Sequence, residues 1–220
     1  MIHKIQTILR PRGLRSFLSM SKNKKLNLLD VGCGNKSSIF IKKINPQINV
    51  HGIDVGDYNQ SEESKKKYTK YTLSDPDLFD KSIRDMNVKF DLIISNHNIE
   101  HCNNPEKTFN SMIDRLSIGG YIFIATPSSK SLNFPKRSGT LNFFDDTTHK
   151  NPVDLKKLVS TESKSIECIF YSESYQPIFW RLIGLFNEVF SKSKKKVLLG
   201  TWDYYGFEQI LWAKKISESK

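Results

Sequence analysis

Two glycines that follow a short apolar segment are the most informative feature of the sequence. Gly32 and Gly34 stand in the segment LLDVGCGN, and Asp30 comes two positions before the first of them. Glycines placed directly after a buried strand allow a tight turn and a close approach of the backbone to a ligand. A dinucleotide-binding loop requires a third glycine, but Ser37 occupies that position. The carboxylate of Asp30 disfavours a pyrophosphate and favours a ligand with an ammonium or sulfonium group.

A second acidic residue ends the next apolar segment, INVHGI. Asp54 stands twenty residues after Gly34, which is the separation at which an acidic side chain in a nucleotide-binding unit reaches a ribose. A carboxylate accepts hydrogen bonds from two ribose hydroxyls. The two segments together therefore predict a site for a ligand with a ribose and a positively charged group.

Titratable residues follow the later apolar segments. His97, Glu100 and His101 come after FDLIIS with i, i+3, i+4 spacing, so a helical turn would place them on one face. His149 ends the acidic segment DDTTH, and a histidine in such a loop can act as a general base, which contributes about 10²–10⁴-fold to a rate. Two structural alternatives stay open. His149 can pack the wall of a pocket, and the Glu100–His101 pair can fix its own loop.

Alternating strands and helices are needed to position these residues. Apolar runs predict strands at residues 26–31, 48–53, 68–73, 90–95, 121–125, 165–171 and 207–213. Helical spacing predicts helices at 37–44, 105–116, 152–159 and 178–190, a loop and helix at 75–86, and one or two short helices in 1–25. We therefore predict an α/β fold with a doubly wound, mostly parallel seven-stranded sheet and an elaborated C-terminal third.

The ordered motifs LLDVGCG, GID, FDLIISNHNIEH and YIFIATP resemble those of class I S-adenosylmethionine-dependent methyltransferases. The resemblance covers residues 26–127 and implies a Rossmann-like methyltransferase fold with S-adenosylmethionine as the cofactor. It implies that the glycine loop lines the methionine end, that Asp54 binds the ribose and that Asp75 lies near the adenine. Asn96 is expected near the transferred methyl group. The cofactor-binding residues predicted on this basis are Asp30, Gly32, Cys33, Gly34, Asp54, Val55, Asp75 and Asn96.

The sequence also restricts the methyl acceptor. Amino groups of nucleobases usually require a proline-containing element after the fourth strand, and the segment SNHN at that place has none. Attack by cytosine C5 requires a cysteine nucleophile, usually beside a proline, and the three cysteines lack that setting. An oxygen or a small-molecule nitrogen remains as the acceptor. The predicted catalytic residues are His149, His97 and His101.

The segment FFDDTTHKNPVDLKKLV adds a looser resemblance, to bacterial methyltransferases of polysaccharide and surface-glycan biosynthesis clusters. It implies an enzyme that transfers a methyl group to a hydroxyl of a small molecule, a sugar or a surface-glycan precursor. The expected partner is therefore a small-molecule acceptor, sugar or glycan-linked.

Two other functions remain as alternatives. Some quinone-biosynthesis O-methyltransferases are similar after the fourth strand and bind a divalent ion through Glu-x-x-Glu-His. Here His97 replaces the first glutamate, so a set of His97, Glu100 and His101 would suit Zn, Mn or Fe as well as Mg. The favoured hypothesis, an O-methyltransferase acting on a small molecule, requires no metal. The second alternative is an RNA methyltransferase, which the net charge of +11 suggests. Only seven of the 34 basic residues are Arg, the residue that phosphate and base recognition favours, so nucleic acid is not the expected partner.

Length and composition predict one cytoplasmic methyltransferase domain. The 220 residues with 38% hydrophobic content provide one substantial core. Residues 1–25 form its helical segment, 26–127 its cofactor-binding core, and 128–220 its acceptor side and C-terminal strands. No apolar run approaches the ~20 residues that cross a bilayer, and three cysteines without a C-x-x-C pair indicate no disulfide framework.

The predicted helix at 178–190 carries too much apolar surface for one narrow stripe. Three explanations stay open for it. The helix can form a lid over the acceptor pocket, a homodimer contact, or a peripheral attachment to a membrane, for which the lysines that follow it are suited.

Overall fold

A computed structural model describes residues 9–218 of the chain. The strands are β1 Asn27–Val31, β2 Asn49–Asp54, β3 Lys70–Leu73, β4 Phe90–Asn96, β5 Leu116–Pro127, β6 Ile166–Ser172 and β7 Glu208–Lys215. They form one seven-stranded sheet in the order β3-β2-β1-β4-β5-β7-β6. Only β7 runs antiparallel to its neighbours, β5 and β6. The predicted doubly wound, mostly parallel α/β sheet is therefore confirmed.

Helices cover both faces of this sheet. The α-helices that follow Gly13 are α1 Leu14–Ser19, α2 Ser37–Ile44, α3 Glu62–Lys67, α4 Phe79–Arg84, α5 Pro105–Arg115, α6 Leu155–Thr161, α7 Ile178–Lys194 and α8 Thr201–Tyr205. Successive side chains of a strand point to opposite faces, so β1 contributes to both halves of the core. Leu29 and Val31 pack in one apolar cluster with α5 and α6, and Leu28 packs in the other with α1 and α2. Burial on both faces explains why β1 and β4 read as continuous apolar runs.

Two short helices, α3 and α8, are not predicted by the sequence. Helix α3 is capped by Ser61, whose hydroxyl accepts a hydrogen bond from Ser64 N at 3.2 Å while Ser64 Oγ accepts one from Ser61 N at 2.8 Å. A serine supplies the return bond that glutamate or glutamine usually makes, so the usual sequence signal is absent. Helix α8 is enclosed by Gly200 and Gly206, both with positive φ, and is too short to show helical periodicity.

The strand β5 is longer than predicted because it includes a glycine kink. Gly119 has a φ of +84°, and the register with β4 shifts between the pairs Phe90–Leu116 and Leu92–Tyr121. Helix α5 ends at Arg115, and the two glycines at 119–120 lie within an irregular start of the strand.

The N-terminal segment packs on the C-terminal third of the chain. Arg10 forms an ion pair with Asp203 at 2.6 Å, and Trp212 Nε1 donates a hydrogen bond to Arg12 O at 2.8 Å. Phe17 of α1 is fully buried against the Trp212 ring. The apolar positions Ile5 and Ile8 of the predicted helical segment lie outside the described residues. Within residues 9–218, no helix has the length and apolar character needed to cross a bilayer.

Candidate active site

The glycine loop after β1 turns at a position that favours glycine. Gly32 has a φ of +76°, in the left-handed region that side chains rarely adopt. A Cβ atom there would lie 2.4 Å from the side chain of Asn98, in the segment after β4. The loop also contacts the segment after β2, where Tyr58 O accepts a hydrogen bond from Asn35 N at 2.9 Å. The segments after β1, β2 and β4 therefore meet at the carboxyl edge of the sheet, where ligands bind in folds of this type.

Asp54 is the last residue of β2 and points its carboxylate at this edge. Its side chain is nearly buried, with an exposed fraction of 6% for the residue. Oδ1 accepts a hydrogen bond from Val55 N at 2.7 Å, and Oδ2 lies 3.6 Å from the position that a Cβ of Gly34 would take. Burial raises the pKa of Asp54, while backbone N–H groups of Val55, Gly56 and Gly34 act in the opposite direction. The carboxylate is thus held beside the glycine loop, as a ribose acceptor requires.

Asp30 is a buried carboxylate beneath the same loop. The Ser37 hydroxyl donates a hydrogen bond to it and also lies 2.9 Å from the hydroxyl of Tyr68. Burial raises the pKa of Asp30 to about 7, although the Ser37 hydrogen bond acts against this and the charge of Asp54 adds to it. The ion pairs among the described residues do not include Asp30. A desolvated carboxylate without a cationic partner suits a positively charged ligand.

The other predicted cofactor residues have different settings around this edge. Cys33 is fully buried, and burial raises the pKa of its thiol, so this cysteine is not a reactive nucleophile. Val55 and Asn96 are exposed. Asp75 is also exposed, and its carboxylate accepts a hydrogen bond from Asp77 N at 2.8 Å, which caps the 3₁₀ turn Pro76–Leu78.

A glutamate and two histidines converge after β4. Glu100 and His101 belong to the 3₁₀ turn Ile99–His101, and His149 comes from the loop before α6. The backbone carbonyl of Glu100 ties that loop to the turn by accepting hydrogen bonds from Lys150 N and Asn151 N. One potential ligand atom from each of the three side chains lies within 4.8 Å of the others. The tertiary structure therefore brings His149 to the Glu100–His101 pair.

Backbone carbonyls determine which nitrogen of each ring carries the proton. His149 Nδ1 lies 2.6 Å from Phe143 O, and His101 Nδ1 lies 3.1 Å from Thr148 O. A carbonyl oxygen can only accept, so Nδ1 is the protonated nitrogen in both neutral rings. Each Nε2 is left with a lone pair that can accept a proton or bind a metal ion.

The two histidines differ in their access to solvent. The side chain of His149 is only 5% exposed, and its ring packs against Phe143 and His101 with centroid distances of 4.6 and 4.8 Å. His101 is half-buried, and it lies within electrostatic reach of the carboxyl groups of both Asp54 and Asp146. His101 is therefore the more accessible of the two rings, and His149 packs against it.

Glu100 is fully buried, and only one of its carboxylate oxygens is hydrogen-bonded. Thr126 Oγ1 donates to Oε2 at 2.9 Å. Oε1 has no hydrogen-bond partner among the described residues and lies 3.4 Å from His97 Nδ1 and 4.0 Å from His149 Nε2. Burial raises the pKa of Glu100, but the interaction with His97 outweighs it, so the pKa is lowered and the group is a carboxylate.

His97 has a different environment from the other two predicted catalytic histidines. Its Nε2 lies 2.9 Å from Glu208 Oε1 at the start of β7, and its backbone adopts a φ of +53°. Burial lowers the pKa of His97, but the carboxylates of Glu100 and Glu208 outweigh it and raise the pKa to about 10. His97 is therefore protonated near neutral pH and cannot accept a proton there. The predicted metal-binding set is His97, Glu100 and His101. Among the described residues, the group whose ligand atoms lie close enough to hold a metal ion is Glu100, His101 and His149, so His149 replaces His97.

Several residues of this cluster are missed by sequence reasoning. Glu208, Thr126 and Phe143 contact the predicted histidines and glutamate through the hydrogen bonds and rings described above. Glu208 is 111 positions away from His97, and the pairing of β7 with β5 brings it close. No local spacing in the sequence carries that information.

Comparisons with known proteins identify the family and the fold. A family model described as a methyltransferase domain matches residues 1–163. The structure is similar to a SAM-dependent methyltransferase from Archaeoglobus fulgidus, with 22% identity, 92% of this chain and 91% of that chain covered, and a TM-score of 0.54. No curated protein matches the sequence.

Two further solved structures have the same fold. One is the plantazolicin methyltransferase BpumL, in complex with a triazolic desmethylPZN analog and SAH, with 18% identity, 97% and 84% coverage and a TM-score of 0.59. The other is the N-methyltransferase NodS from Bradyrhizobium japonicum WM9, in complex with S-adenosyl-L-homocysteine, with 13% identity, 97% and 86% coverage and a TM-score of 0.54. At these identities the likeness establishes the fold, and the family model covers more than half of the chain. The chain therefore belongs to the methyltransferase domain family.

Proposed function

We propose that this protein is an S-adenosylmethionine-dependent methyltransferase that transfers a methyl group to a hydroxyl of a small molecule, a sugar or a surface-glycan precursor. The observation that carries the proposal is the cluster of Glu100, His101 and His149, in which His101 lies within electrostatic reach of Asp54. It supplies a proton acceptor next to the predicted cofactor site, which a hydroxyl acceptor requires.

The residues at the glycine loop fit S-adenosylmethionine chemically. Asp54 offers a carboxylate for the ribose hydroxyls, and Asp30 offers a buried negative charge for the cationic methionine end. The cofactor supplies a methyl group on a sulfonium, ready for in-line displacement. The chain must hold the acceptor oxygen in line and remove its proton.

His101 is the residue proposed to take that proton. Its Nδ1 is engaged by Thr148 O, so Nε2 is the basic nitrogen, and the ring is more accessible than that of His149. His149 acts as a positioning residue through its ring contact with His101. Asp146 lies 3.8 Å from His149 Nε2 and lines the same loop, whose acidic and hydroxyl side chains suit a polyhydroxylated acceptor.

Methyl transfer to a panel of soluble acceptors tests this proposal. The purified protein is incubated with isotopically labelled S-adenosylmethionine and with nucleotide sugars, free sugars or phenols, and the labelled products are identified by mass spectrometry. Label on a sugar hydroxyl supports the proposal. Label only on a phenol or an amine, with none on a sugar, excludes the sugar acceptor.

The pH dependence of cofactor binding gives a further expected result. Because the pKa of Asp30 is about 7, its carboxyl group is largely protonated at pH 6 and largely ionised at pH 8. A cationic ligand favours the ionised form, so affinity for S-adenosylmethionine should rise across this range and level off above it. Isothermal titration at several pH values measures this.

The Asp30→Asn variant is the matched control for that experiment. An amide cannot ionise, so the variant should bind more weakly at pH 8 and lose most of the rise. An equal pH dependence in both proteins would exclude Asp30 as its source.

A metal-assisted O-methyltransferase is the second candidate. The observation in its favour is the buried Oε1 of Glu100, which makes no well-formed hydrogen bond to a described residue and lies 3.4 Å from His97 Nδ1 and 4.0 Å from His149 Nε2. Together with His101 and His149 it forms a mixed histidine and carboxylate set that suits Zn, Mn or Fe. Activity that survives exhaustive chelation would exclude this candidate. Loss of activity that the added ion restores, in the wild-type protein but not in Glu100→Gln, would establish it.

We also propose a cytoplasmic location. Cys33, Cys102 and Cys168 are all free thiols, and thiols stay reduced in the cytoplasm. Fractionation of the native cells, with a disulfide-containing protein as a marker for the oxidising compartment, tests this assignment.

A further inference from the structure

Helix α7 presents an apolar face to solvent along its whole length. Phe186 and Val189, near its middle, are 74% and 71% exposed. The other exposed apolar side chains of α7 are Ile178, Phe179, Leu182, Leu185 and Phe190. At 100° per residue these seven positions fall on one continuous arc of the helix. Contiguous exposed apolar surface of this kind marks an interaction site.

The opposite face of α7 is fixed tightly to the protein. Gly184 contacts Gly200 so closely that a Cβ atom at Gly184 would lie 2.0 Å from Gly200 O. Both terminal nitrogens of Arg137 donate hydrogen bonds to the Glu188 carboxylate at 2.6 Å, and Arg137 also bonds Ser191. The polar face is therefore used within the fold. The apolar face cannot turn inward without breaking these contacts.

Basic residues surround the apolar face. Arg181 is exposed on one flank, and exposed lysines follow at 192 and 194–196. The only acidic residue of α7 is Glu188, which is turned toward Arg137. The exposed surface thus combines apolar side chains with positive charge and carries no negative charge of its own helix. This combination is typical of helices that lie in the interface of an anionic bilayer.

We propose that α7 docks the protein on an anionic lipid surface, with its apolar face inserted at the headgroup boundary. The helix has 17 residues, and none of the helices in the described part of the chain can span a bilayer, so the contact is peripheral. A second copy of the chain is a poorer occupant. Exposed basic residues stand near both ends of α7, so a two-fold contact through this helix would bring positive charges of the two subunits close with no acidic side chain of α7 free to pair with them, in a protein with a net charge of +11.

The position of α7 connects this surface to the candidate acceptor site. Arg137 lies in the segment after β5, and its backbone N–H donates a hydrogen bond to Asp145 Oδ2 at 3.1 Å. Asp145 stands directly before the loop that carries Asp146 and His149. The polar face of α7 is therefore connected, through Arg137, to the segment that leads into the candidate acceptor loop.

Sedimentation with lipid vesicles tests the docking surface. The full-length protein is mixed at low salt with vesicles of phosphatidylglycerol and phosphatidylcholine, or of phosphatidylcholine alone. We expect binding to the anionic vesicles, and at least a ten-fold loss of partitioning in Phe186→Glu. Ile118→Glu is the matched control, because Ile118 is also an exposed apolar residue, 59% exposed, but lies outside α7. This control should bind like the wild type.

A second pair of variants tests the role of charge. The double variant Lys194→Glu/Lys196→Glu should weaken vesicle binding. The control is the double variant Lys66→Glu/Lys67→Glu, which makes the same charge change at two exposed lysines of α3 and should bind vesicles like the wild type. Circular dichroism and thermal unfolding verify that every variant is folded. Absence of wild-type binding, or equal losses in the α7 variants and their controls, would overturn the proposal. A wild-type dimer that Phe186→Glu dissociates, without vesicle binding, would assign the surface to a second copy instead.

The outcome for docking is separable from that for the proposed function. Phe186→Glu should keep its affinity for S-adenosylmethionine and its turnover of a soluble acceptor, because Phe186 touches neither site. Vesicle binding by a protein that transfers no methyl group would support the docking surface and contradict the proposed function. Turnover of soluble sugars by a protein that does not bind vesicles would support the proposed function and contradict the docking surface.

Discussion

Replacement of Asp54 by alanine is expected to lower the affinity for S-adenosylmethionine about 10- to 150-fold, or roughly 1.5–3 kcal/mol. The carboxylate stands at the end of β2, beside Gly34 and nearly buried. Its removal deletes two charge-assisted hydrogen bonds to the ribose and leaves the ligand hydroxyls unpaired. Isothermal titration calorimetry measures the change.

Asp57→Ala is the matched control for this result. Asp57 lies in the same segment, but its carboxylate is exposed and bonds to Lys65 and Tyr71. Its loss should leave cofactor affinity within about two-fold of the wild type. Unchanged affinity in Asp54→Ala, with a folded protein, would contradict the assignment of this residue to the ribose.

Replacement of His101 by glutamine is expected to lower turnover about 10²–10⁴-fold while cofactor affinity stays nearly intact. Glutamine keeps a hydrogen bond to the loop but cannot accept the acceptor proton at neutral pH. Single-turnover kinetics with saturating cofactor measure the chemical step directly. His149→Gln should also reduce turnover, because the His149 ring supports His101, and it too should leave cofactor affinity unchanged.

His51→Gln serves as the control histidine. Its ring packs against Phe90 within the sheet, away from the acidic loop, so turnover should change little. If His101→Gln lowers cofactor affinity as much as turnover, His101 has a structural role and the proposed proton transfer is wrong.

The sheet and its order of elements follow from local patterns. The sequence predicts every strand, although β3 is poorly marked because its residues Lys70–Leu73 are largely polar and none of them is buried. The single antiparallel strand β7 is consistent with the mostly parallel sheet that was predicted. Strand bounds agree to within a few residues where the apolar run is long, as in β4. Helices α3 and α8 are missed, because a serine-based cap and a five-residue length leave no periodic signal.

The cofactor side of the candidate site is also predicted from local sequence. The glycine loop and Asp54 each follow their own strand, and parallel strands bring their carboxyl ends to one edge. The grouping of the histidines is different. The spacing of His97, Glu100 and His101 predicts one face of a helical turn, but the structure engages His97 with Glu208 and brings His149 to Glu100.

The fold class and the residues at the ends of β1 and β2 could be predicted from the sequence, because strand periodicity and the glycine turn are local properties, and the resemblance of the ordered motifs predicted the family. Long-range contacts, in contrast, determine which histidine remains free to accept a proton and which face of α7 stays exposed. Glu208 lies 111 residues from His97, and Arg137 lies 51 residues from Glu188. These ion pairs depend on how β7 pairs with β5 and on how α7 lies over the segment after β5. Long-range packing of this kind leaves no trace in local spacing, yet it fixes both the protonation of His97 and the outward orientation of the apolar face.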